Sequence, residues 1–249
     1  MFSSYGKIYS RYLGREMEYM QYGTSGKPVL ILPCQGGRFT EFEEMGMLKV
    51  YAPFIEDGRI QVFTIDSIDN QTLLAPGDPR GRIVHYEAWV NFVIGEAVPF
   101  FSRINTQANG WQIRFMSAGI SLGSLHASNL FFRFPDTFDA LLALSGIYTN
   151  ERSFGCYHDD LTYNNAPLQY LGGMPCGHPY IEKYNRSRIV LCVGRGAWEV
   201  ETLEDTRAMA AIFRRKGIDA WVDFWGDDVC HDWNWWYLQA AYFLPLILG

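Results

Sequence analysis

The chain has no surplus of positive charge and no basic cluster to make up for it. Its 249 residues carry a formal net charge of −6, with Lys and Arg dispersed along them. A nucleic-acid partner is therefore not expected. The densest cationic run, Arg214-Arg215-Lys216, precedes Gly217 and reads as a helix C-terminus, where cations meet the helix dipole. Long apolar runs are also missing. Leu238 to Leu248 falls short of the ~20 residues a bilayer span needs and reads as a core-packed final helix. The segment Met1 to Lys7 is polar and aromatic and lacks the apolar core of a signal peptide. Cysteine is scarce: five residues, an odd number, with no Cys-x-x-Cys pair. A reduced, cytoplasmic protein is expected, with a Cys156–Cys176 pairing left open. No Walker-type lysine follows a glycine-rich loop, and Gly194-x-Gly196 lacks the third glycine of a dinucleotide fingerprint. Asp66-Ser67-Ile68-Asp69 has no histidine partner and reads as a polar strand-end turn. Neither a metal nor an organic cofactor is expected, and the partner should be a small molecule. Repeats, low-complexity tracts and composition breaks are absent, so residues 1–249 are expected to form one domain.

Hydrophobic residues make up 48% of the chain and aromatics 16%, enough for a sizeable core. Alternating segments at Ile8 to Tyr12 and Glu16 to Tyr22 predict an N-terminal antiparallel hairpin. Continuous apolar runs at Val29 to Leu32, Ile60 to Ile65, Trp111 to Met116, Ala140 to Leu144, Ile189 to Val193 and Ala220 to Trp225 predict strands. Helices are predicted at Glu41 to Ile55, Tyr86 to Ile104, Leu122 to Phe134, Leu203 to Lys216 and Trp233 to Leu246, with a surface loop over 76–81. That alternation implies right-handed βαβ units: an α/β fold with a mostly parallel sheet and helices on both faces. Residues 148–188, rich in Asn, Gly, Pro and Tyr and without periodicity, are a candidate cap or lid.

Gly119-Ile120-Ser121-Leu122-Gly123 stands between an apolar strand run and a helical one. Gly-x-Ser-x-Gly in that setting is the nucleophile elbow, where the turn is so tight that flanking Cβ atoms would collide. A serine hydroxyl requires a general base, and the base an orienting acid, in the chain order Ser, acid, His. His85 precedes the serine, His126 lies on the helix after it, and His158 and His178 precede the last two strands. His231, in the loop after the final strand, is the base by this order. Asp232 reads as the N-cap of the last helix. After Ile189 to Val193, Glu199 is the first choice of acid and Glu201 the second, with Thr202 and Asp205 read as a helix-capping pair. An oxyanion hole takes two backbone amides: Leu122, after the nucleophile, and one from Pro33-Cys34-Gln35-Gly36-Gly37, with Gln35 first and Gly36 second. Trp198, Trp233, Trp235 and Trp236 bracket these residues and read mainly as packing, some of them lining a pocket.

Pro33-Cys34-Gln35-Gly36-Gly37-Arg38-Phe39, the elbow, Gly194-Arg195-Gly196-Ala197-Trp198-Glu199 and His231-Asp232-Trp233 occur in the order of a known family. The chain resembles the esterase family of α/β-hydrolases that includes S-formylglutathione hydrolases, feruloyl esterases, enterochelin esterases and the antigen 85 mycolyltransferases, and looks closest to a branch of small bacterial esterases. The resemblance implies Ser121 as nucleophile, His231 as base, Glu199 as acid, and the amides of Leu122 and Gln35 as oxyanion donors. Pro33-Cys34 stands where the family commonly has His-Gly. The activity implied is carboxylic ester hydrolysis through an acyl-enzyme. An acyltransferase using an alcohol or sugar acceptor, or a catalytically silent binding protein, would carry the same fold.

Overall fold

The computed structural model describes residues 1–249. Its strands are β1 (Ser3–Ser10), β2 (Arg15–Tyr22), β3 (Lys27–Leu32), β4 (Ile60–Ile65), β5 (Phe115–Ile120), β6 (Phe138–Leu144), β7 (Arg188–Val193) and β8 (Trp221–Phe224). The helices are α1 (Glu41–Glu44), α2 (Leu48–Glu56), α3 (Pro79–Phe92), α4 (Val98–Asn109), α5 (Leu122–Arg133), α6 (Glu151–Phe154), α7 (Asp160–Asn164), α8 (Pro167–Gly173), α9 (Pro179–Asn185), α10 (Val200–Lys216) and α11 (Trp233–Leu248). The elements gather into two compact units: Met1–Arg114 with Asn150–Asn165, and Phe115–Thr149 with Ala166–Gly249.

In the first unit the strand order is β1-β2-β4-β3. The predicted hairpin is present as the antiparallel pair β1–β2, with β2–β4 antiparallel and β3–β4 parallel. A π-helical turn, Val93–Ala97, joins α3 to α4. It inserts one residue into an otherwise continuous helix. Beyond it, Phe101 stacks on Phe63 with ring centroids 4.4 Å apart, and the Asn105 side chain donates to Gln61 at 2.8 Å.

The second unit runs β5-β6-β7-β8, with every neighbouring pair parallel. Helix α5 packs on β5 and β6, α10 on β7, and α11 on β6 and β7. Ala140–Leu144 and Ile189–Val193 are buried without a break, so both faces of these strands are covered. Because the four strands are parallel, the residues that follow them all emerge at one carboxyl edge. Those residues are Ser121 after β5, Ser145 after β6, the 194–199 loop after β7 and the 225–231 loop after β8.

Several elements depart from their predicted bounds. The helix expected over Glu41 to Ile55 is two helices, interrupted where Gly46 takes φ +82°, a left-handed stop. The long helix begins at Pro79, inside the expected surface loop. Asp78 caps it by accepting the Gly81 amide at 2.7 Å, and Pro79 fits the first turn, whose amides lack partners. Strand β5 starts and ends four residues later than expected, since the small residues Ser117, Ala118 and Gly119 are buried strand without looking apolar. Residues 148–188 carry four short helices and divide between the two units. Thr202 and Asp205 do not form the expected capping pair. The N-cap of α10 is Glu199, and Asp205 accepts the Tyr148 amide at 2.7 Å. All five cysteines are free thiols, and no helix is long and apolar enough to cross a membrane.

Candidate active site

Ser121 occupies the turn between β5 and α5 at φ 56° and ψ −122°, a conformation that non-glycine residues seldom take. Two features hold it there. The Ser121 amide donates to the Leu144 carbonyl at 2.9 Å, and the buried Ser124 hydroxyl bonds the carbonyls of Gly119 at 2.8 Å and Leu144 at 3.0 Å. A Cβ at position 119 would run into the Gly123 backbone, and backbone cannot rotate away. The Leu122 amide opens α5, where helix N–H groups have no partner within the helix and point toward an incoming anion.

The loops after β7 and β8 are stitched together by backbone. Arg195 N–H donates to Gly226 O at 3.1 Å, Gly196 N–H to Val229 O at 2.8 Å, and His231 N–H to Ala197 O at 3.0 Å. Gly194 and Gly196 permit this approach, since a Cβ at either would collide with the Val229 carbonyl. Asp232 caps α11 as predicted, accepting the Asn234 amide at 2.8 Å.

These constraints bring three predicted residues into one line. His231 Nε2 lies 3.0 Å from Ser121 Oγ, and His231 Nδ1 lies 3.2 Å from Glu199 Oε2. Glu199 is wholly buried, whereas Glu201 is exposed on α10, so the first-choice acid is the one beside the histidine. No cation accompanies the Glu199 carboxylate. Its other partners are hydroxyls: Ser145 donates to Oε1 at 2.5 Å, and Thr202 bonds Oε2 at short range. Trp236 packs edge-on against His231, ring centroids 4.8 Å apart, and its indole N–H donates to Ser145 Oγ at 2.9 Å.

Sequence reading did not single out Ser145. A lone serine after an apolar run forms no motif, and the only hint is its place at a strand's carboxyl end. Trp198 departs from the packing expected of it, being 87% exposed at φ 66°.

The predicted oxyanion loop belongs to the first unit. Within it the Cys34 amide donates to Glu41 at 2.7 Å, the Gly36 amide to Asp69 at 3.2 Å and the Gly37 amide to Cys34 O at 2.9 Å. Gln35 keeps an unpaired amide, while that of Gly36, the second choice, is engaged. Burial raises the Glu41 carboxyl above its usual range, against the bonds it accepts from Cys34. His85, His126, His158 and His178 take no part in the Ser121 line, and no group of His, Cys, Asp and Glu gathers as a metal site.

No family model matches the chain, and no curated protein matches it in sequence. Solved structures do resemble it. A ferulic acid esterase superposes with TM-score 0.73 at 17% identity, covering 99% of this chain and 97% of its own. The S-formylglutathione hydrolase of Agrobacterium tumefaciens gives TM-score 0.71 at 13% identity over 99% and 95%. The fluorophosphonate-binding serine hydrolase F of Staphylococcus aureus gives 0.71 at 12% over 100% and 98%. The fold is therefore that of the α/β-hydrolases, and these neighbours come from the esterase group to which the motifs pointed.

Proposed function

We propose that the protein is a serine hydrolase that cleaves carboxylic esters of small molecules through an acyl-enzyme. The observation that carries this reading is the unbroken line Ser121 Oγ, His231 Nε2, His231 Nδ1, Glu199 Oε2, with the serine held at the start of a helix in a strained turn. Ser121 Oγ attacks the ester carbonyl carbon as His231 Nε2 takes its proton, and Glu199 stabilises the imidazolium. The tetrahedral oxyanion is met by the Leu122 amide and, as the proposed second donor, by the unpaired amide of Gln35. His231 then returns the proton to the departing alkoxide, leaving acyl-Ser121. Water attacks that ester by the reverse route and restores the hydroxyl. No step calls on a metal or organic cofactor.

The test is direct. The wild-type protein should hydrolyse a short-chain aryl ester and react covalently with a fluorophosphonate probe, and Ser121→Ala should do neither. Equal rates for the two proteins would refute the reading. Ester product with an added alcohol in place of free acid would assign acyl transfer.

A further inference from the structure

We propose that Ser145 is a positioning residue which, backed by Trp236, fixes the Glu199 carboxylate so that it meets His231 in one orientation. The inference rests on the Ser121–His231–Glu199 reading above. Ser145 follows β6 and is fully buried. Its φ of 47° lies in the left-handed region that glycine occupies without cost, yet the chain places serine here and glycine at 146. A costly backbone conformation kept by a residue with a hydroxyl directs attention to the hydroxyl. The turn itself is clamped to the end of β7, the Ser145 amide donating to Cys192 O at 2.7 Å.

The hydroxyl has two partners, Glu199 Oε1 at 2.5 Å and Trp236 Nε1 at 2.9 Å. An indole N–H can only donate, and a serine hydroxyl has one proton to give. With Trp236 donating into Ser145 Oγ, the Ser145 proton goes to Glu199. The chain of bonds therefore has one direction, from Trp236 through Ser145 to Glu199, and Oε1 is an acceptor. With Oε1 held, the carboxylate cannot swing, and Oε2 stays beside His231 Nδ1. The charge is solvated by neutral hydroxyls of Ser145 and Thr202 rather than by a cation, so its attraction remains available to the imidazolium. Trp236 also lies edge-on to His231, so one side chain bears on both base and acid.

Ser145→Gly removes the hydroxyl and accepts the backbone angle, and Ser145→Ala and Trp236→Phe complete the set. A bond to a charged group sets the scale: kcat should fall about 10- to 100-fold in either Ser145 variant, with KM changed less than about twofold. Ser145→Gly combined with Trp236→Phe should fall no further than Ser145→Gly alone, because the indole acts through the hydroxyl. The low-field proton NMR signal of His231 Nδ1–H should shift or broaden in Ser145→Gly while the melting temperature holds. An active wild type whose Ser145→Gly variant keeps both kcat and that signal overturns the inference and leaves the triad reading standing. A wild type that neither hydrolyses ester nor reacts with the probe overturns the triad reading and this inference with it.

Discussion

Replacing Glu199 with Gln removes one charge and almost no volume, and the surroundings dictate how the new side chain sits. The Ser145 hydroxyl, committed as a donor, draws the amide oxygen to the Oε1 position. The NH2 group is then left facing His231 Nδ1, so the imidazole must accept there and carry its proton on Nε2. That is the nitrogen that has to take the proton of Ser121. The lost charge gives the same scale independently. A carboxylate and an imidazolium 3.2 Å apart attract by about 5 kcal/mol at an effective dielectric of ~20. That corresponds to between three and four orders of magnitude in rate, at about 1.4 kcal/mol per tenfold. Tautomer and charge describe one interaction and do not add. We therefore expect Glu199→Gln to lower kcat roughly 10³- to 10⁴-fold, with KM little changed. Steady-state hydrolysis of an aryl ester, with circular dichroism and a thermal melt to verify folding, makes the measurement. A folded Glu199→Gln protein within about tenfold of wild-type kcat would refute the reasoning.

Three further outcomes follow from the geometry. Ser121→Gly should abolish hydrolysis while stabilising the fold by about 1 kcal/mol, since glycine tolerates φ 56°. A thermal melt should rise by roughly 2–4 °C. Glu41→Ala unties the Cys34 amide and with it the loop that presents Gln35, so kcat should fall at least about tenfold and a boronate transition-state mimic should bind correspondingly less well. Burial pushes the Asp159 carboxyl up, but the Thr162 amide, the Tyr157 hydroxyl and the Arg80 guanidinium pull it down to about 2, against 3.8 when unperturbed. A depressed folded value means stability that is complete above the unfolded pKa and lost as pH falls from about 4 to 2. Denaturant titrations should show Asp159→Asn less stable than wild type at neutral pH, with the gap closing across that window.

The parts of the site that could be read from sequence are those fixed by spacing or order. Ser121 was legible because two glycines flank it at the interval a strand-to-helix turn demands. His231 was legible because it follows the last strand, and Glu199 because it fills the turn after β7. Ser145 was not, because its partners are 54 and 91 positions away and contact of that kind leaves no local pattern. Thr202 was misread for a related reason. Threonine near a helix start looks like a cap, but here its hydroxyl serves the buried acid. Most strands and helices followed from apolar periodicity, whereas the start of α3 depended on Asp78-Pro79, an N-terminal signal that sits among loop-forming residues. The helices within 148–188 are four to seven residues long, too short for periodicity to show.

The π turn between α3 and α4 fixes the phase of everything that follows it. Deleting any one of the five residues Val93–Ala97 would restore a regular helix and rotate the downstream segment by about 100°. Phe101 would leave the face of Phe63, and Asn105 would swing away from Gln61. One codon lost at this point should therefore be more damaging than several lost from an exposed loop.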